Sequence, residues 1–483
     1  MFNALWSRAG VGRRAALCAL LACCLGGLGL VSLTGCKKKK AKSQQNPATK
    51  QEVAKKAAEV PPPKLDGAKS IDEFVLGWLK HLKLQPADPC TDAEFVRRVY
   101  VDVLGTLPTA KEASAFISSS EPNKRSALID RLLERPEFAD YWAMKWGDIL
   151  RIKAEFPVNL WPNAAQAYHH WVRSSIVQNK PYDKFVRELL TSSGSNFRVG
   201  PVNFYRALQS KTPESTARTA ALTFMGVRAD DAWPERSLSG MVACFSQVGY
   251  KPTREWKEEI VFWDPDKTSV KTTNAVTPVL NAPPTNKPPA VAAIFPDGTP
   301  AKLSPERDPR EVFADWLITP KNPWFTRNIA NRVWSWLLGR GIIHEPDDIR
   351  EKNPPSNPDL LAFLEKELVA HRYDLKHLYR LILNSKTYQF SSKAKATGPL
   401  AEAHFASYAV RRLDAEVLLD AINKVSGTSD LYTSAIPEPF TFIPKDTPAV
   451  ALADGSITSP FLALFGRSAR ATGLESERIN RVL

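Results

Sequence analysis

Apolar residues recur every three or four positions along most of the chain after residue 70, which predicts a mostly helical protein. The first segment of this kind has six such positions, namely Ile71, Phe74, Val75, Trp78, Leu79 and Leu82. Alternation with a period of two, the sign of a half-buried strand, is not sustained over several segments. Only 259–263 is predicted to be a short strand.

Helix-start and helix-stop signals punctuate this pattern. Thr91-Asp-Ala-Glu94 and Thr109-Ala-Lys-Glu112 have the spacing of a capping box, in which the first and fourth residues cap each other's backbone. Asn322-Pro323 and Asn357-Pro358 each place a capping side chain before a proline suited to the first helical position. Gly339 follows an apolar helical segment and predicts its end.

A proline-rich stretch divides the helical pattern in two. Ten prolines lie between 264 and 309, with little periodicity, which is typical of an irregular connector. The predicted fold class is therefore mostly α, with two helical domains joined by a long Pro-rich irregular connector. We expect the helical domains at 70–263 and 308–483, and the connector at 264–307.

The first 35 residues are predicted to be an export signal. Three arginines precede an uncharged apolar run at 15–33, which is short for a membrane span and typical of a signal-peptide core. The run ends in Leu33-Thr34-Gly35-Cys36, which resembles the lipobox of bacterial lipoproteins. That resemblance implies cleavage before Cys36 and acylation of its thiol, which would anchor the chain in a membrane. An ordinary signal peptide with a chance cysteine is the alternative.

Residues 36–69 are predicted to form a flexible tether rich in lysine and proline. Ten lysines and three acidic residues lie there, so this segment and the signal account for most of the net charge of +14. The body from residue 70 onward is left close to neutral, which argues against a nucleic-acid partner. We expect a lipid-anchored, extracytoplasmic location in the cell envelope. The outer membrane is favoured because Lys37, not an aspartate, follows Cys36.

Two long strings then resemble the planctomycete cytochrome C domain: FVRRVYVDVLGTLPT at 95–109 and RPEFADYWAMKW at 135–146. The strings DPREVFADW at 308–316 and RRLDAE at 411–416 resemble the domain of unknown function that usually follows it in secreted bacterial proteins. The resemblance covers most of the body. It implies export and helical domains, and it does not imply a particular reaction.

The haem-attachment motif of that family is missing from this chain. Family members usually carry Cys-x-x-Cys-His shortly after a string like Met225-Gly-Val-Arg228. Here Asp231, Pro234 and Glu235 stand at the three positions. Because two thioether bonds and an axial nitrogen hold a c-type haem, we expect no covalent haem and no cofactor.

One cluster on a predicted helix is a candidate ligand-binding site. Arg327, Asn331 and Arg332 share that helix, and Asp348 follows a short distance later. The spacing of four residues places Arg327 beside Asn331. One interpretation is a pocket for an anionic or sugar ligand. The favoured alternative is an ion-paired helix face packed on a structural loop.

The sequence predicts no catalytic residue and no metal site. His371 and His377 flank a turn without a His-Glu-x-x-His pattern, so structural roles are favoured for both. Asp230, Asp231 and Glu235 form an acidic cluster that is interpreted as a solvated turn rather than a cation site. The body also lacks the serine-nucleophile, phosphate-loop and dinucleotide motifs.

Two cysteines, Cys90 and Cys244, remain in the body of the chain. In an oxidising compartment they are able to form one disulfide. Two free buried thiols are the alternative, since no local spacing pairs them.

The function predicted on these grounds is that of a membrane-tethered envelope lipoprotein with a binding or scaffolding role. The expected partners are the membrane, reached through the lipidated Cys36, and a polysaccharide or an envelope protein. A hydrolase acting on envelope or external polysaccharide, with its site near Asp348 and Arg332, is the first alternative. A haem-less partner in extracytoplasmic electron transfer is the second.

Overall fold

The computed structural model describes residues 61–63, 65, 67–267, 293–441, 443 and 445–479. The predicted export signal, Cys36, most of the tether and the middle of the connector lie outside these residues. The described residues are mostly helical, which confirms the predicted fold class. None of their helices is both long and apolar enough to cross a lipid bilayer.

The first helical region precedes the connector. Its α-helices are α1 (Ile71–His81), α2 (Asp92–Leu104), α3 (Ala110–Ser118), α4 (Lys124–Leu133), α5 (Pro136–Ile149), α6 (Pro162–Val177), α7 (Tyr182–Thr191), α8 (Pro213–Ala220), α9 (Ala229–Ala232) and α10 (Ser239–Phe245). Short 3₁₀ turns at Gly200–Tyr205 and Glu235–Leu238, and a π turn at Ala221–Met225, complete the region.

The second helical region follows the connector. Its α-helices are α11 (Pro309–Leu317), α12 (Phe325–Leu338), α13 (Pro358–Ala370), α14 (Leu375–Leu383), α15 (Pro399–Ala403), α16 (Ala415–Ser426), α17 (Pro460–Leu464) and α18 (Ser476–Ile479). A 3₁₀ turn at Ala449–Ala451 lies between α16 and α17. The described parts of the connector form turns and one isolated bridge, between Ile294 and Pro300.

A small antiparallel sheet lies at the end of the first region. Its strands are β1 (Gly194–Ser195), β2 (Val248–Pro252) and β3 (Glu259–Trp263), with β3 in the centre. Val261 of β3 is fully buried and pairs with both Gly194 and Tyr250. The predicted strand at 259–263 is confirmed, whereas its two partners were not predicted. Because β1 has only two residues, it carries no alternating pattern.

Most of the helix ends that were predicted from local capping signals are present in the structure. Capping boxes are formed at Thr91–Glu94 and Thr109–Glu112, and Gly339 ends α12 with a φ of 78°. The predicted start of α12 at Pro323 is wrong by two residues. Asn322 Oδ1 accepts hydrogen bonds from the backbone N–H groups of Trp324 and Phe325, so the helix begins at Phe325.

One hydrophobic core is shared by the two helical regions. Trp142 of α5 packs against Trp336 of α12, with ring centroids 5.2 Å apart. Tyr182 of α7 stacks on Phe325 at 5.0 Å. Aromatic contacts of this kind bury a large apolar area and favour one relative arrangement of their helices. The described residues accordingly form one compact unit.

Cys90 and Cys244 are both free and buried. Burial raises the pKa of both thiols. At Cys90 the positive charges of Arg98 and Arg125 act to lower the pKa, but burial outweighs them. Of the two alternatives left open by the sequence, the structure has the free buried thiols.

Candidate functional site

The candidate residues on α12 have separate partners. Arg332 is 1% exposed, and its Nη2 atom lies 2.8 Å from Oδ1 of the equally buried Asp347. The side chain of Asn331 is fully buried and exchanges two hydrogen bonds with the backbone of Ile343, both at 2.9 Å. Both residues therefore hold the loop that follows α12.

Arg327 and Asp348 lie apart from that buried pair. Arg327 Nε is 2.8 Å from Oε1 of Glu365 on α13, and the arginine side chain is 39% exposed. Asp348 pairs instead with Arg350 at 2.9 Å. Burial raises the pKa of Asp348 despite the positive charge of Arg350. The side chains of the four candidates therefore contact different partners.

Glu475, far along the chain, completes the surroundings of Arg332. Its Oε1 atom lies 3.4 Å from Arg332 Nη1 and accepts a hydrogen bond from Trp336 Nε1 at 2.5 Å. Its backbone N–H donates to Asp347 Oδ2 at 2.6 Å. Burial raises the pKa of Glu475 against the opposing charge of Arg332. This arrangement ties α12 to residues 465–479, which follow α17 and which we call the C-terminal segment.

A second ion-paired cluster joins the C-terminal segment to the first helical region. Asp148 of α5 accepts Arg470 at 3.0 Å and Arg478 at 2.6 Å. Arg478 also reaches the fully buried Glu416 of α16 at 2.6 Å. Burial acts to raise the pKa of Glu416, but the charges of Arg478 and Arg467 outweigh it and lower that pKa. These charged residues form ion pairs inside the protein and stabilise its fold, and each of them has a partner.

One feature of the described residues with the size of a ligand site is a groove between α3 and α4, with a volume of about 760 Å³. Ligand pockets in proteins commonly have volumes of about 300–1,000 Å³. We call it the α3/α4 groove and define it by Tyr100, Lys111, Glu112, Ala115, Phe116, Ser119, Glu121, Asn123, Lys124, Ala127, Leu128, Arg131, Leu132 and Arg135. Sequence reasoning missed it, since no motif marks it and its members come from three helices and two loops.

The α3/α4 groove has more cations than acids. Arg135 pairs with Glu112 at 2.7 Å, and Lys124 pairs with Asp92 at 2.7 Å. Lys111 and Arg131 are exposed, and neither has a carboxylate partner among the described residues. Because Glu121 is the one exposed acid of the groove without an ion pair, Lys111 and Arg131 leave a small excess of positive charge at its rim, which favours an anionic ligand.

Three hydrogen-bond donors hold the carboxylate of Glu112 in place within this groove. Its carboxylate accepts from the backbone N–H and the hydroxyl of Thr109, both at 2.8 Å, and from Arg135. Burial acts to raise the pKa of Glu112, but the Thr109 and Arg135 hydrogen bonds outweigh it and lower the pKa to about 2. Glu112 is therefore ionised at neutral pH.

A smaller cavity, of about 40 Å³, lies among aromatic side chains at the boundary of the two regions. Trp146, Tyr182 and Tyr379 line it, and Lys180 and Lys376 lie at its edge. This volume suits a few water molecules, because a buried water needs roughly 10–15 Å³ of such space. The cavity is too small for a sugar or a cofactor.

The acidic residues at the missing haem motif lie at the surface. Asp230, Asp231 and Glu235 are all exposed, and Asp230 accepts a hydrogen bond from Arg218 at 2.7 Å. The residues at the three haem-attachment positions are a carboxylate, a proline and a second carboxylate, and none of them forms a thioether.

Three other titratable residues are brought together where α13 meets α14. One nitrogen or oxygen of each of Glu367, His371 and His377 lies within 4.8 Å of the others. Sequence reasoning considered the two histidines and missed Glu367, because it sought a motif within one helix. The i,i+4 spacing of Glu367 and His371 was the available signal.

The fold and these sites define a mostly helical protein with two regions on either side of a proline-rich connector. Residues 70–233 match the family described as protein of unknown function DUF1549, which is associated with planctomycete cytochrome C. Residues 309–470 match the family described as protein of unknown function DUF1553. The two matches occur in the predicted order along the chain. Comparison with curated proteins and with solved structures found no match.

Proposed function

We propose that this chain is a lipid-tethered protein of the bacterial cell envelope that binds an acidic polysaccharide in the α3/α4 groove. The observation that carries the proposal is the groove itself, with its volume of about 760 Å³ and its unpaired Lys111 and Arg131. The tether supports it from the sequence, because acylation at Cys36 would hold the groove close to envelope polymers.

The chemistry of the groove suits a chain of acidic sugars. Carboxylate or sulfate groups pair with Lys111 and Arg131, while the exposed Ala115 and Ala127 offer apolar contact for sugar rings. Charge complementarity in an open groove also speeds association and makes it sensitive to salt.

Binding is favoured over hydrolysis by the state of Glu112. A glycosidase needs one carboxyl group that is protonated at the working pH and acts as general acid. Glu112 has its pKa lowered to about 2 and is held by Thr109 and Arg135, so it is a poor proton donor. Its role here is to fix the start of α3 and the position of Arg135.

A scaffolding role is supported by the internal ion pairs. Arg332, Arg470 and Arg478 have side chains that are 10% exposed or less, and they tie residues 465–479 to α12 and to the first helical region. These ion pairs stabilise the fold that presents the α3/α4 groove at the end of the predicted tether.

An envelope protein is the alternative ligand for the α3/α4 groove.

The test is a binding titration of the full chain with polygalacturonate, an acidic polysaccharide, and with dextran, a neutral one. We expect saturable binding of polygalacturonate that weakens as salt is added, and no binding of dextran. The doubly reversed variant Lys111→Glu/Arg131→Glu should bind at least about tenfold more weakly.

The matched control is Lys251→Glu/Lys352→Glu, which makes the same change in net charge at two exposed lysines outside the groove. Binding by this control should equal that of the unmodified chain. Equal losses in both double variants would mean nonspecific attraction and would overturn the groove. If the chain binds no polysaccharide and the groove instead binds an envelope protein, the ligand is that protein and not a polysaccharide.

A further inference from the structure

The junction of α13 and α14 carries a cluster that the proposed function does not use. We propose that Glu367, His371 and His377 form a binding site for a divalent transition-metal ion such as Zn²⁺. Two imidazole nitrogens and one carboxylate oxygen are a ligand set that Zn²⁺ commonly takes, with water in a further position.

The separations within the cluster agree with this chemistry. His377 Nε2 lies 3.3 Å from Glu367 Oε2. Ligand atoms at the usual Zn–N and Zn–O distances of about 2.0–2.1 Å are about 3.3–3.4 Å apart around a tetrahedral ion. The pair is therefore already spaced to share one ion.

The local fold holds the three side chains near one another. Glu367 lies in the last turn of α13, and His371 directly follows that helix. Asp374 caps α14 by accepting a hydrogen bond from the backbone N–H of His377 at 3.1 Å, which fixes the start of the second helix. The ligands thus come from two helix ends with a tight turn between them.

The surroundings of His371 also suit a metal ligand. Its Nδ1 atom lies 2.9 Å from the backbone carbonyl oxygen of Glu367. The same Nδ1 atom lies 3.5 Å from Oε2 of Glu367, so this ring nitrogen faces the carboxylate with which it would share an ion.

One movement is required for all three to bind together. The imidazole rings of His371 and His377 are stacked, with centroids 3.5 Å apart and planes 14° from parallel. A ring nitrogen directs its lone pair within the ring plane, so two parallel rings cannot both face one ion. His371 has the more exposed side chain, 46% against 24% for His377, and we expect its ring to turn out of the stack.

The cluster is accessible to an ion from solvent. The side chain of Glu367 is 27% exposed, so an ion has an entry path while the carboxylate remains partly shielded from water. One negative charge and two neutral imidazoles leave a bound Zn²⁺ with a net charge of about +1, which partial exposure tolerates.

The experiment is a calorimetric titration of the full chain with Zn²⁺, repeated with Co²⁺ while visible absorption is recorded. We expect one saturable equivalent and a Co²⁺ absorption band of the intensity given by tetrahedral coordination. Each of His371→Ala, His377→Gln and Glu367→Gln should weaken Zn²⁺ binding at least about tenfold.

The matched control is His170→Ala, which removes an exposed histidine elsewhere and should leave binding unchanged. Thermal unfolding without metal checks that the variants fold. If His377→Gln does not fold, the exposed His371→Ala decides the matter. No saturable binding, or binding equally strong in His371→Ala, would overturn the site. Lys111→Glu/Arg131→Glu should bind Zn²⁺ normally, which separates this proposal from the groove.

Discussion

Arg470 lies with its Nε atom 3.0 Å from Oδ1 of Asp148, although 322 positions separate the two residues in the chain. The arginine side chain is 1% exposed and that of Asp148 is 14% exposed. Arg470 also donates to the backbone carbonyls of Ile152 and Ala453, both at 3.0 Å. One buried guanidinium group thus connects α5 with the C-terminal segment.

Asp148→Asn is expected to destabilise the protein strongly. The substitution leaves the buried charges of Arg470 and Arg478 without their shared carboxylate, and breaking a buried pair in this way typically costs about 3–5 kcal/mol. Urea unfolding followed by tryptophan fluorescence measures the loss in the free energy of unfolding.

The control for this prediction is Asp130→Asn, which breaks the exposed pair with Arg380. That pair also joins the two helical regions, but exposed pairs contribute only about 0–1 kcal/mol. If Asp148→Asn lowers the free energy of unfolding no more than the control does, the internal ion pairs do not stabilise the fold.

His169 gives a prediction for acid stability. Burial, assisted by the positive charge of Arg470, lowers the pKa of His169 to about 3, against 6.5 for an unperturbed histidine. The folded state holds the neutral form, so the stability due to this shift is present above pH 6.5 and is lost as pH falls toward 3.

His169→Leu removes this titration. The loss of unfolding free energy between pH 7 and pH 4 should be smaller in the variant than in the unmodified chain, with each pH unit worth up to about 1.4 kcal/mol. Urea unfolding at the two pH values measures the difference. Equal losses in both proteins would mean that His169 titrates normally in the folded state.

Thr109→Ala tests how the α3/α4 groove is held. Removing the hydroxyl takes one hydrogen bond from Glu112 and the side-chain cap from α3, so stability should fall by about 1 kcal/mol. The pKa of Glu112 should rise from its value of about 2. Carbon NMR of the Glu112 carboxyl reports that pKa, and an unchanged value would show that Thr109 does not control it.

The local elements of this fold were predictable, because their signals lie within a few residues. Thr91 and Thr109 cap their helices with the glutamate three positions later, and Gly339 ends α12, as the sequence indicated. The strand at 259–263 was recognised from its composition. Its partner β1 was not, because two residues contain no pattern.

The partners of buried charges were not predictable. Arg332 and Asp348 were grouped in one candidate site, and Arg332 pairs with Asp347 and Glu475. The amino-acid sequence alone does not reveal which of two adjacent aspartates faces inward. It also does not reveal that Glu475, 143 positions away from Arg332, lies beside it. The α3/α4 groove was missed for a similar reason, since it exists only after two helices pack.

The proposed anchor makes a separate prediction at Cys36. Cys36→Ala should abolish incorporation of radiolabelled palmitate and shift the protein from the membrane fraction to the soluble extracytoplasmic fraction. Cys90→Ala is the control, because Cys90 is buried in the fold and should not affect labelling. Unchanged labelling in Cys36→Ala would contradict the lipid anchor.

The most direct test of the central proposal is hydrogen–deuterium exchange of the full chain with and without polygalacturonate. Binding in the α3/α4 groove predicts slower exchange of backbone amides in α3 and α4 and in the loop at 119–123 between them. That protection should be absent in Lys111→Glu/Arg131→Glu. Protection confined to another surface, or equal protection in the doubly reversed variant, would contradict the groove as the polysaccharide site.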